Sequence, residues 1–333
     1  MKLEINRWNG AEHPRAVLRD VYELDPQTPA DQTPPIGEQL PAVSGEEGSS
    51  CEHPAAGEEW WGRFDLELSA LPTSTTADRI AGSSPDLPAA RSIVDGRNGS
   101  IVARVAELMS SGSPVLAVCA DAARRRELVE RVANPRRFGG GTTAVACGRC
   151  ERGAYEAVRA IAAGAGIGLC DWTVLRLDPT LAEPFGHIVL VDPPPSAELE
   201  SLALRGAGFV HRVWGAAEIE LALRVYDAEL NPHPGLAEIY RALRDQPDQT
   251  AEGNALLAVL GGSGRFPRSP ESAARCVRVL SELGVVGGLT ASARVLRVVS
   301  SEKTQLESSS AFRAYCERHK ESTRFLQSMR HPQ

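Results

Sequence analysis

Lysine is almost absent from this chain, with only Lys2, Lys303 and Lys320 in 333 residues. A phosphate-binding loop of the form G-x-x-x-x-G-K-[ST] needs a lysine directly after a glycine, to neutralise the phosphates its backbone amides cradle. None of the three follows a glycine, which excludes a P-loop motor. Long apolar runs are missing too. No segment approaches the roughly 18 residues that cross a bilayer, and the opening "MKLEINRWNG" is too polar for a secretory signal, so a cytoplasmic protein is expected. Seven cysteines, an odd number without an export signal, predict reduced thiols rather than a disulfide framework. "CGRC" at 147–150 has no second C-x-x-C to complete a four-ligand zinc site. A cluster of Cys119, Cys147, Cys150 and Cys170 at neighbouring strand ends is the one zinc alternative; buried, inert thiols are the simpler expectation.

The formal charge of −7 is unevenly spread. Residues 1–60 carry twelve acids against four basic residues, 61–261 carry twenty-five against twenty, and 262–333 carry six against twelve. A basic end on an acidic chain is a candidate surface for nucleic acid or an acidic partner, or else a solvated helix face.

Four pieces follow one another along the chain. Residues 1–24 hold two strand-like runs around an Asn-Gly turn signal. Residues 25–59, crowded with Pro, Gly, Ser, Asp and Glu, predict a disordered acidic linker. Residues 60–230 alternate helix and strand: "IVARVAELMSSG", "PVLAVCAD", "AARRRELVERVAN", "TTAVACG", "GAYEAVRAIAAG", "IGLCDWTVL", "HIVLVDPPP", "GFVHRVWG" and "AAEIELALRVYDAEL". That βαβαβ series predicts an α/β, Rossmann-like domain with a parallel sheet. Residues 231–333 predict a helical, winged-helix-like unit.

In "FGHIVLVDPPPSAELE" (185–200) a buried strand delivers Asp192 to the carboxyl edge of the sheet, where a nucleotide-driven motor holds Mg²⁺. The next residue is Pro193 rather than a second acid, so Asp192 is read as a turn or helix cap. In the C-terminal unit, "SPESAARCVRVLSELGVV" opens on a Ser-Pro start signal, and 269–283 is read as the recognition-type helix of a winged helix. Arg275 and Arg278, three apart, share a face and are expected to point away from the core. Arg294 and Arg297 are expected on the wing, in "ARVLRVVSS".

"INRWNGAEHPRAVLRDV" resembles the end of the oligonucleotide-binding fold of the RecJ family of single-strand-specific exonucleases, in which a W-N-G turn precedes a P-R-x-x-L-R-D strand. "HIVLVDPPP", "HRVWGAAEIELALRVYDAEL", "GLAEIYRAL" and "SEKTQLESSSAFRAY" resemble the C-terminal accessory domain of bacterial members, itself similar to a helicase lobe without its nucleotide site. The resemblance covers most of 1–24 and 90–326. It implies a 5′–3′ exonuclease context in repair and recombination. The implied partners are single-stranded DNA, repair proteins such as single-stranded-DNA-binding protein, and a separate D-H-H nuclease subunit. It also implies that residues 1–24 are an OB-fold remnant, in which Trp8 and Arg15 or Arg19 would touch DNA by stacking and charge. The chain would then start inside a barrel whose earlier strands lie upstream, in a split or truncated gene or in a fragment.

The departure from the family is as informative. Its members cleave with two metal ions held by D-H-H and G-G-H motifs, and neither occurs here. The histidines stand singly at 13, 53, 187, 211, 233, 319 and 331, and isolated histidines do not assemble the ligand set that a two-metal site needs. No catalytic residue, no cofactor and no nuclease activity are therefore expected of this chain alone. A second reading is a stand-alone nucleotide- or small-ligand-binding α/β protein using the glycines at 139–141 or 164–168, although no G-x-G-x-x-G joins strand to helix there.

Overall fold

The computed structural model describes residues 2–8, 11–17, 57–73, 91–132, 142–164, 166–262, 266–290 and 293–330, with side chains from residue 57 onward except 128–132. Two units result, Met1–Glu47 and Gly48–Gln333. In the first, strands β1 (Lys2–Trp8) and β2 (Ala11–Val17) pair antiparallel, Lys2 opposite Val17 and Trp8 opposite Ala11, as the turn signal between them predicts. The side chains of Trp8 and Arg15, all of Arg19 and the predicted linker up to residue 56 lie outside the described residues. Its last residues, 57–59, are helical, because α1 (Gly57–Ser69) begins there.

The second unit contains a six-stranded, all-parallel sheet in the order β3-β8-β7-β4-β6-β5. These strands are β3 (Ser92–Asp95), β4 (Val115–Cys119), β5 (Thr142–Ala146), β6 (Gly166–Asp171), β7 (His187–Leu190) and β8 (Phe209–Arg212). Every residue of β4 and of β6 is buried, which is what unbroken apolar runs do when helices cover both faces of a parallel sheet. The intervening helices are α2 (Ile101–Ser110), α3 (Ala122–Val132), α4 (Arg152–Ala160), α5 (Trp172–Leu177), α6 (Ala197–Ala203) and α7 (Ala216–Leu230). Three details differ from the sequence reading. β3 and α6 were not expected. "IGLCDWTVL" is strand only to Asp171, whose carboxylate then accepts from the Val174 amide and starts α5; an Asp in this position favours helix over further strand.

The remaining elements are α8 (Pro232–Arg244), β9 (Thr250–Glu252), α9 (Gly253–Gly261), α10 (Pro270–Glu282), β10 (Val286–Gly287), β11 (Val295–Val298) and α11 (Ser310–Ser328). The three strands form a small antiparallel sheet, order β10-β11-β9. A second hydrophobic core gathers around α10. α11 ties both cores together, giving Ala311, Phe312 and Tyr315 to the second and Leu326 to the first. α1 also belongs to the second core, through the fully buried Phe64, although the composition shift at residue 60 assigns it to the α/β part. Among the described residues no helix is long and apolar enough to cross a membrane.

Candidate functional site

In a parallel sheet, ligands gather at the carboxyl ends of adjacent strands whose crossovers leave in opposite directions. Here those strands are β4 and β7: the chain leaves β4 through α3 toward β5 and leaves β7 through α6 toward β8. Asp192, just past β7, is fully buried and accepts from the Ala120 amide at 3.0 Å and from Arg125 Nε at 3.1 Å. The second Arg125 nitrogen also bonds the carboxylate. Burial raises the Asp192 carboxyl and Arg125 opposes the rise. Asp192 lies in the bend that ends β7 but caps no helix; Ser196 caps α6, accepting from the Leu199 amide. An internal ion pair fills the crevice at this switch point.

Beside this plug is a cavity of about 290 Å³, walled by the sheet edge on one side and by α7, α8 and the loop before α10 on the other. Asp121 caps α3 and pairs with Arg124 and with Arg149, the latter at 3.0 Å. Arg124 stacks on Phe266, 3.9 Å from the ring centre. Asp171 accepts both carboxylate bonds from the Gly148 amide at 2.9 and 3.0 Å. Burial, then Asp121, pushes its pKa up to about 6, against the amides and Arg149. The Tyr226 hydroxyl, buried at the cavity wall, has no hydrogen-bond partner among the described residues.

The glycines expected to cradle a ligand do something else. Gly139–Gly141 lie outside the described residues. Gly166 and Gly168 sit within β6 and permit close packing: a Cβ on Gly166 would lie 2.4 Å from the Thr142 carbonyl oxygen, and one on Gly168 would lie 2.8 Å from Val158 Cγ1. The cysteine quartet does not form a metal site either. Cys147 is disulfide-bonded, against the expectation of seven reduced thiols, and so is not a thiolate ligand. Cys119 donates to the Cys170 carbonyl, and burial raises both thiols well above their ordinary range. Among the described residues no three His, Cys, Asp or Glu side chains group as metal ligands.

The arginines of the C-terminal lobe are placed differently from their prediction. α10 starts at the Ser-Pro signal, Ser269 accepting from the Ser272 amide, but most of its length is buried. Arg275 does not point away from the core. Its side chain is 7% exposed, bonded to Glu67 at 3.4 Å and to the Glu229 carbonyl and carboxylate at 2.8 and 2.9 Å. Arg278 donates to the Ala70 carbonyl and lies 3.7 Å from Glu282. Arg294 makes a two-pronged contact with Asp65 and stacks 4.3 Å from the Trp61 ring centre. Arg297, on β11, is exposed.

The cover over Arg275, Arg278 and Arg294 is α1. Spacing places Arg275 and Arg278 on one helical face, yet it is silent about what lies on that face. The signal that could have revealed α1 is "EEWWGRFDLELS" itself, an acidic, aromatic helix beside a basic C-terminal segment. α1 also reaches the α/β lobe: Glu59 accepts from the Arg152 amide, and Arg63 binds Glu271 in a forked contact at 3.0 Å while Arg176 approaches the same carboxylate at 3.5 Å. No protein-family model and no curated protein matches this chain.

Proposed function

We propose that this chain is a non-catalytic accessory module of a RecJ-type, single-strand-specific 5′–3′ exonuclease in DNA repair and recombination. It guides single-stranded DNA or docks repair proteins such as single-stranded-DNA-binding protein. Cleavage, with its Mn or Mg, belongs to a separate D-H-H nuclease. The observation that carries this reading is the Arg125–Asp192 pair closing the switch point of a parallel sheet, as expected of a helicase-like lobe that has lost its nucleotide. The order helix, strand, helix, helix, strand, strand in α8 to β11 is in keeping with a winged helix, a fold suited to nucleic acid. The β1–β2 hairpin is in keeping with the end of an OB-fold. The test is to add the pure chain to a RecJ-type D-H-H nuclease and to labelled oligonucleotides. We expect no digestion by the chain alone, salt-sensitive binding to single strands, and longer tracts of digestion when it is added to the nuclease. Robust Mn²⁺-dependent digestion by the chain alone overturns the reading.

The cavity walled by Asp171, Arg149 and the Tyr226 hydroxyl favours one alternative, a small polar ligand or nucleotide bound between the lobes. Thermal stabilisation by millimolar nucleotide, in the absence of oligonucleotide binding, would favour it.

A further inference from the structure

Helix α1 carries four acids and one arginine in its thirteen residues and lies on the lobe contributed by the basic end of the chain. Its acidic groups meet arginines one by one: Asp65 with Arg294, and Glu67 with Arg275. At its end the Ala70 carbonyl takes Arg278. The forked Arg294 contact is one in which a guanidinium donates to phosphate as readily as to carboxylate, and Arg278 donates to a lone oxygen beside it. We propose that α1 occupies a single-stranded-DNA surface of the C-terminal lobe, its oxygens standing where phosphates would lie, and that its release opens that surface.

Release turns two arginines to solvent beside a third. Arg278 and Arg294 lose their contacts with α1, and Arg297 is exposed already. Arg275 keeps its bonds to Glu229 and stays part of the core. Glu271, the acid on the same helix that would repel DNA, keeps Arg176 as a counter-ion when Arg63 departs; Glu282 remains engaged with Ser309 and the Ala311 amide. The latch is an apolar one as well, through Phe64, Trp60 and Trp61. An occupant must therefore compete with aromatic burial as well as with ion pairs, which makes α1 a stable cover at rest.

The inference rests on the nucleic-acid reading above, and the experiment separates the two. Two full-length variants, Asp65→Asn with Glu67→Gln and Asp65→Asn with Trp61→Ala, are compared with wild type by anisotropy of a labelled oligothymidylate across salt concentrations. Tryptophan emission reports whether α1 has left its seat. We expect a red shift, binding at least about tenfold tighter than wild type, and a salt slope steeper by about 1.4, from the two freed arginines at about 0.7 each on single strands. Adding Arg278→Gln, Arg294→Gln and Arg297→Gln to a released variant should abolish the gain. Binding equal to wild type after a red shift overturns the proposal and leaves the accessory reading standing. An α1 that stays seated in both variants is a fixed strut, which also overturns it. No binding to single strands by any variant removes both.

Discussion

Glu67 on α1 and Arg275 on α10 form a buried ion pair, 3.4 Å apart and 208 residues apart in sequence. The same offset of 208 recurs between Arg63 and Glu271 and between Ala70 and Arg278. The two helices therefore run parallel and in register, a turn of one facing a turn of the other.

Removing one member of a buried pair strands the other charge, which costs about 3–5 kcal/mol. Arg275→Met should therefore lower the urea midpoint strongly, since both Glu67 and Glu229 lose a partner. Adding Glu67→Gln should recover about 1–3 kcal/mol of that loss, as residues in one network couple. Additive losses in the double variant would contradict the pairing.

The plug at the sheet edge gives a parallel test. Asp192→Ala leaves Arg125 buried beside the sheet and the Ala120 amide unsatisfied, and should destabilise by about 3–5 kcal/mol. Arg125→Met should do the same through Asp192. A mild effect, within about 0.5 kcal/mol for both, would mean that the crevice is open to water.

Acid stability holds two opposed contributions. His187 Nδ1 lies 3.1 Å from His211 Nε2. Burial, then His187 and Arg104, lowers His211 to about 4, so the fold favours its neutral ring. That contribution is complete above the ordinary histidine pKa of about 6.5 and is lost as pH falls toward 4. Asp171, raised to about 6 by burial and then by Asp121, acts in reverse. The fold favours its protonated form, so its contribution is complete below about 3.9 and is lost as pH rises toward 6. Melting temperatures measured between pH 4 and 7 should be nearly flat in the wild type. Asp171→Asn should fall steeply on acidification, and His211→Gln should fall as pH rises from 4 to 6. Parallel profiles for the two variants would refute the assignment.

Glycine at 166 is a packing requirement. A methyl there meets the Thr142 carbonyl oxygen at 2.4 Å, backbone that cannot swing aside. Gly166→Ala should cost about 1–3 kcal/mol, as overpacked cores do, and should shift β5 from β6. A neutral Gly166→Ala would instead mark this stretch of β6 as loosely packed.

What was legible in the chain was local. The apolar run "VLAVC" announces a central strand, Gly112 closes α2 at φ +79°, and Ser269-Pro270 announces α10. What stayed hidden depends on partners far away. Asp192 is readable as an acid at a strand end, but its counter-ion sits among the neighbouring arginines Arg124, Arg125 and Arg126, and nothing local selects Arg125. β3 is a four-residue edge strand with only partial burial, too short and polar to stand out by alternation. The burial of Arg275 is not legible because periodicity names the residues sharing a helical face and leaves the neighbour covering that face unnamed.

The 208-residue offset also sets an order of events during synthesis. Ribosomes add about 5–20 residues per second, so roughly 10–40 s pass between the emergence of Glu67 and that of Arg275. Throughout that interval Trp60, Trp61 and Phe64 have no seat, since their apolar neighbours on α8, α9 and α10 are still unmade. A newly made chain halted before α10 would carry an exposed aromatic helix, and there a trigger-type chaperone or a premature aggregate would first take hold.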